Sequence, residues 1–109
     1  MNRICRIAGV CLALILSSQA QAGGDPVRGQ SKSTPCQACH GPDGNSPNPN
    51  FPNLAGQQAT YIVQALKDYQ NGNRKNAIMA GLAAPLSEQD RQDLAAYYSS
   101  QKGLFTLKN

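Results

Sequence analysis

Residues 36–40 read CQACH: two cysteines three positions apart, then the chain's single histidine. A turn-rich run follows at once, GPDGNSPNPNFPNLAGQ over residues 41–57. The fold must bring Cys36, Cys39 and His40 close together and accommodate a long segment punctuated by Pro and Gly. Three chemistries use such a cluster: a redox dithiol, a metal site, and covalent anchoring of a haem.

The chain has 109 residues, enough for one small domain. Residues 1–22 read as a secretory signal. Arg3 and Arg6 make a positive start, residues 7–16 form an apolar core, and Ala20-Gln21-Ala22 is a small-x-small cleavage site. The apolar run is short for a membrane span, which needs roughly 20 residues. Cys11 follows Val10, a poor context for lipidation. Cleavage after Ala22 would leave residues 23–109 as one domain, exported to the periplasm. Cys5, Cys11 and Met1 leave with the signal, so Cys36, Cys39 and Met79 are the sulfur residues that remain. Arg3 and Arg6 leave too, so eight of ten basic residues face six acids and the formal charge falls from +4 to +2. That balance, with no basic stripe interleaved with aromatics, argues against nucleic-acid binding.

A domain of this size buries only a modest core. Here it must do so with no Trp, two Phe and four Tyr. Such chains commonly rely on a staple. Cys36 and Cys39 allow one disulfide, which would close a very short loop. A large cofactor acting as the missing core is the more economical solution.

The pattern along the chain is helical. Asp25 and Pro26 open a helix to about Ser33, and Pro35 is expected to interrupt it just before Cys36. Residues 41–57 are a long loop, with Phe51 and Leu54 as apolar residues that argue for packing. Tyr61, Ile62, Ala65, Leu66 and Tyr69 share one face of a helix over residues 58–71, stopped by Gly72. Residues 73–85 read as a mixed connection containing Met79. Ser87 and Asp90 form a capping-box pattern opening a last helix, expected to end near residues 101–103, with Leu94, Ala95 and Tyr98 in one stripe and Tyr97 beside it. No alternating strand of useful length occurs, so the fold class is all-α.

A structural zinc site wants four ligands, and two Cys and one His fall short of it. A thiol–disulfide enzyme would set CxxC between a strand and a helix of an α/β fold, a setting this chain lacks. A plain disulfide remains the unassuming alternative. Haem uses all three residues: two thiols one helical turn apart form thioethers, and His40 lies beneath the iron as its ligand. Export agrees, because this attachment occurs outside the bacterial cytoplasm. For the opposite face of the iron there is no second His. Met79, a soft thioether donor, is the candidate by elimination; the alternative is a gap-filling core methionine.

The stretches GDPVRGQ, CQACHGPDGNSPNPNFPNLAGQ, YIVQALKDYQNGNR, AIMAGLAAPLSEQD and DLAAYYSSQ, in this order, resemble class I cytochromes c of the small bacterial periplasmic type, in particular one haem domain of cytochrome c4. The resemblance covers about residues 24–101. It implies helices wrapped around one covalently bound haem c, with a first and a last helix crossing at Gly29 against Leu94 and Tyr97. It implies that Cys36 and Cys39 carry the haem and that His40 and Met79 bind the iron. Pro52 matches the proline whose carbonyl accepts a hydrogen bond from the proximal histidine. Leu54 would line the pocket, and Tyr61 and Arg74 are candidates for contacts to the haem propionates. Two departures stand out. The first helix lacks apolar residues after Gly29, which predicts a poorly packed crossing. Pro35 beside Cys36 predicts a distorted turn. One CxxCH means one haem, so pairing of haems would need two chains.

The function expected on these grounds is a periplasmic one-electron carrier, not an enzyme, working as a monomer or a dimer. Its redox partner proteins would be respiratory membrane complexes or periplasmic oxidoreductases. Two alternatives are a haem subunit docked permanently to an oxidoreductase, and a haem sensor with a displaceable sixth ligand.

Overall fold

The computed structural model describes residues 23–104. The signal segment read at residues 1–22 lies outside the described residues, as do the last five of the expected domain. Within that range the protein is all-helical, with no strand.

Helix α1 (Pro26–Lys32) begins as Asp25 and Pro26 predict. One Asp25 carboxylate oxygen accepts from the Val27 and Arg28 amides at 2.7 and 3.2 Å. Pro26 sits in the first turn, where its missing amide proton has no intrahelical partner to lose. The break that follows differs from expectation. Only Ser33 separates α1 from α2 (Thr34–His40), and Pro35 lies in the first turn of α2. There its fixed φ suits a helix start, so Cys36, Cys39 and His40 all stand on regular helix rather than on a distorted turn.

Helix α3 (Ala59–Asn71) ends at Gly72, whose φ of 82° is the left-handed stop that glycine adopts most cheaply. Residues 73–85 are not a simple connection: they contain helix α4 (Ala77–Ala83). Asn76 caps it, its side-chain oxygen accepting from the Met79 amide at 3.0 Å. Asparagine directly before an apolar AIM run was a readable start signal. Helix α5 (Glu88–Ser99) carries the expected capping box between Ser87 and Asp90, with bonds of 2.9 and 3.0 Å. It ends a little earlier than expected, in a turn at Ser100.

Helices α1 and α5 cross closely, α3 packs on α5, and α4 packs on α3. Gly29 is buried at the crossing, where a Cβ would collide with the Asp93 carbonyl and the Tyr97 side chain. The shortage of apolar residues in α1 does not leave this crossing loose; charge fills the gap. Asp93, with no exposed surface, accepts from the Asp25 amide at 2.8 Å, Arg28 Nε at 3.1 Å, Lys32 Nζ at 2.6 Å and Gln89 Nε2 at 2.8 Å. Next to this crossing, Ile62, Leu94, Ala95, Tyr97 and Tyr98 form the apolar core, with Cys36, Leu54 and Leu66 packed against it.

Candidate functional site

The segment after His40 is tied down at close intervals. His40 Nδ1 lies 2.8 Å from the Pro52 carbonyl oxygen. A carbonyl only accepts, so Nδ1 carries the proton and Nε2 is the nitrogen free to bind a metal. Ser46 Oγ donates to the Cys39 carbonyl at 3.0 Å, and the Leu54 amide donates to the Gly44 carbonyl at 2.7 Å. Tyr97 Oη donates to the Pro42 carbonyl at 2.9 Å. Gly44 has a φ of 88° and lies so close to the Tyr98 ring that a side chain would strike it. Residues 41–57 are thus a wrapped loop fixed to α2 and α5.

Wrapped by that loop and by α2, α3, α4 and α5 is a cavity of about 490 Å³ with mainly apolar walls. Cys36, Cys39 and His40 line it from α2, and Met79 lines it from α4. Pro52 and Leu54 contribute from the loop, with Ile62, Leu66, Leu94 and Tyr98 behind. Tyr61 and Arg74 also reach this cavity; Arg74 Nη1 donates to Tyr61 Oη at 3.2 Å, and the guanidinium lies 4.9 Å from the centre of the Tyr69 ring. Every site residue expected from sequence therefore lines one space.

The residues fit a haem. Both thiols are free and face an apolar hollow in the middle of the core. His40 is buried with its Nδ1 already engaged. Burial pushes the Cys36 thiol up, and the Tyr98 hydroxyl opposes that shift. Tyr98 is itself buried with no bonding partner for its hydroxyl among the described residues, in the wall of the same cavity. Burial first, then the nearby Cys36 thiol, raise its pKa. Among the described residues no group of three or more His, Cys, Asp or Glu is arranged to hold a bare metal ion.

The family model for cytochrome c matches residues 27–102. The chain belongs to the cytochrome c family. It is 47% identical over 102 residues to a cytochrome c4 of Pseudomonas aeruginosa, covering 94% of this chain and 50% of that protein. It is 48% identical over 82 residues to cytochrome c-554(548) of Halomonas halodenitrificans, covering 72% of this chain and 99% of that protein. Among solved structures, reduced recombinant cytochrome c4 from Pseudomonas stutzeri superposes with a TM-score of 0.72 at 49% identity, covering 75% of this chain and 48% of that one. The chain thus spans about half the length of the cytochrome c4 relatives it matches. Membership of this family implies covalently bound haem c, the group that the cavity and its thiols fit.

Sequence reasoning missed a residue that supports the site from outside the cavity. Gln70, at the end of α3, reaches across to the segment that carries Met79. Its amide nitrogen donates to the Ala83 and Leu86 carbonyls at 2.7 and 2.8 Å, and its oxygen accepts from Arg91 Nη1 at 2.8 Å. Periodicity could not find it, because a glutamine beside an apolar stripe reads as a solvated position.

Proposed function

We propose that the chain is a periplasmic one-electron carrier in which Cys36 and Cys39 would hold one haem c through thioethers and His40 and Met79 would bind its iron. The observation that carries this reading is the apolar cavity lined at once by Cys36, Cys39, His40 and Met79. Bound there, haem c supplies an Fe(III)/Fe(II) couple. The protein does the rest. The Pro52 carbonyl fixes the His40 ring and raises the basicity of Nε2. Met79 offers a neutral, soft thioether that favours the reduced metal and raises the potential. Both residues stand on helices, His40 with its ring tied to the Pro52 carbonyl and Met79 on a helix whose start Asn76 caps. Leu54 and the apolar wall exclude water, and Arg74 with Tyr61 offers a cation and a hydroxyl suited to propionates.

The exposed apolar side chains Tyr61 and Ile78 line the same cavity, so partners would meet the haem at that rim. Residues 1–22 serve as the export signal, cleaved after Ala22, and residues 23–109 form the working domain. Among the described residues no helix is long and apolar enough to cross a membrane. The partners are respiratory membrane complexes or periplasmic oxidoreductases, met by a monomer whose small net charge gives only modest steering. No substrate is transformed, so the domain is not an enzyme.

The test is intact mass combined with visible spectra of protein purified from the periplasm. We expect a chain beginning at Gly23 plus one haem, low-spin when reduced and inert to carbon monoxide at neutral pH. A colourless product, or ready carbon monoxide binding by the reduced wild type, contradicts the proposal.

A further inference from the structure

Helix α4 rests lightly on the rest of the molecule. Ile78 is 62% exposed and Leu82 37%, and a Cβ at Gly81 would meet nothing. Its N-terminal end is capped only by Asn76, a residue of its own segment. The far end is held by the buried Ala83 and by the polar grip of Gln70. One side-chain amide uses both its donors on the carbonyls of Ala83 and Leu86, which bracket the end of α4 and the turn after it. Its oxygen is held in turn by Arg91 of α5, whose Nη1 also donates to the Leu86 carbonyl at 3.3 Å. One glutamine thereby ties three elements together: α3, the segment bearing Met79, and α5.

We propose that Gln70 is a positioning residue for Met79: by gripping the Ala83 and Leu86 carbonyls it keeps the Met79 thioether seated against iron and so sets how readily another ligand displaces it. This rests on the reading of Met79 as sixth ligand. The physical reason is that a neutral thioether binds ferric iron weakly, so the position of its segment decides the competition with nitrogen ligands. Gln70 would act through α4 without touching the haem.

The experiment uses the ferric holoprotein and imidazole as the competing ligand, with Gln70→Glu, Gln70→Leu and Met79→Ala beside the wild type. Gln70→Glu keeps an acceptor for Arg91 but loses both donors to the carbonyls; Gln70→Leu loses all three bonds. Both should retain haem and helical content, and should bind imidazole about tenfold more tightly, as two hydrogen bonds are lost from the displaced segment. Their far-red sulfur–iron band should fade on warming before the helices unfold. If the Gln70 variants melt earlier but bind imidazole as the wild type does, Gln70 is merely structural and the proposal falls. Should Met79→Ala leave the wild-type band unchanged, the ligand reading falls and this proposal with it. The two failures are distinguishable, because the first leaves the Met79→Ala effect intact. If one Gln70 variant does not fold, the other decides.

Discussion

The Lys32 ammonium sits 2.6 Å from a carboxylate oxygen of Asp93, a residue with no exposed surface. This contact replaces the apolar packing that α1 lacks. Burial alone would raise the Asp93 pKa; the bonds from Lys32, the Asp25 amide, Arg28 and Gln89 outweigh it and hold the carboxyl well below the ordinary range. A depressed folded-state pKa stabilises the fold at pH values above the unfolded carboxylate pKa of about 3.9, and that gain is lost as the pH falls toward the folded value. Asp93→Asn should therefore destabilise the holoprotein at pH 7 by about 2 kcal/mol. The gap from the wild type should narrow at pH 3. Denaturant melts at the two pH values check this, and an equal gap at both contradicts the assignment.

Gly29 gives a second prediction. The obstacles to a side chain there are the Asp93 backbone and the Tyr97 Cβ, neither of which can swing aside. Gly29→Ala should push α1 from α5 and cost about 1–3 kcal/mol, as overpacking does. Gly81→Ala is the contrast, since its Cβ would meet nothing and alanine favours helix. It should leave stability unchanged or slightly raised in the same melts.

Covalent attachment is tested by removing the thiols one at a time. Cys36→Ala and Cys39→Ala should each keep one thioether, and the pyridine haemochrome band should shift toward that of a haem retaining a vinyl group. The double variant should release its haem into acidified organic solvent and accumulate poorly. The reason is the thin core: among the described residues, Ala55, Ala83 and Ala95 are three of the seven buried hydrophobic ones, and the cavity lies in their midst.

The helices α1, α3 and α5 were legible from different signals: the Asp25-Pro26 start in α1, the stripe from Tyr61 to Tyr69 with the Gly72 stop in α3, and the Ser87–Asp90 capping box with its apolar stripe in α5. The CxxCH cluster was legible because its three residues have few joint uses. Four features were not. Pro35 reads as a breaker, yet proline is equally at home in a first helical turn, and only the break at Ser33 decides which applies. Helix α4 is seven residues long, too short for periodicity to speak, although Asn76 marked its start. Asp93 and Gln70 were hidden for a shared reason. Each is a polar residue on a helix whose partners are distant in sequence, so no local pattern announces that it is satisfied inside. Arg28 and Lys32, four apart on one face of α1, hinted at an anion but could not say where it lay.

Met79 decides between a carrier and a protein that binds a ligand at iron. It stands on α4 and lines the cavity that His40 lines from α2. With Met79 as sixth ligand, the oxidised wild type should carry a weak sulfur-to-iron band in the far red. Met79→Ala should abolish that band while the haem stays attached, because Cys36, Cys39 and His40 are untouched. The reduced variant should then bind carbon monoxide, and its potential should fall as water or another harder ligand enters. Met79→His should restore six-coordination yet also lower the potential, since imidazole favours the oxidised metal more than a thioether does. A methionine serving only to fill space would behave otherwise: truncation would cost stability by leaving a void, with iron spectrum and potential unmoved. Optical titration of both variants against the wild type separates the cases. An unchanged far-red band and potential in Met79→Ala would refute the ligand assignment and shift the balance toward a haem sensor with an open site.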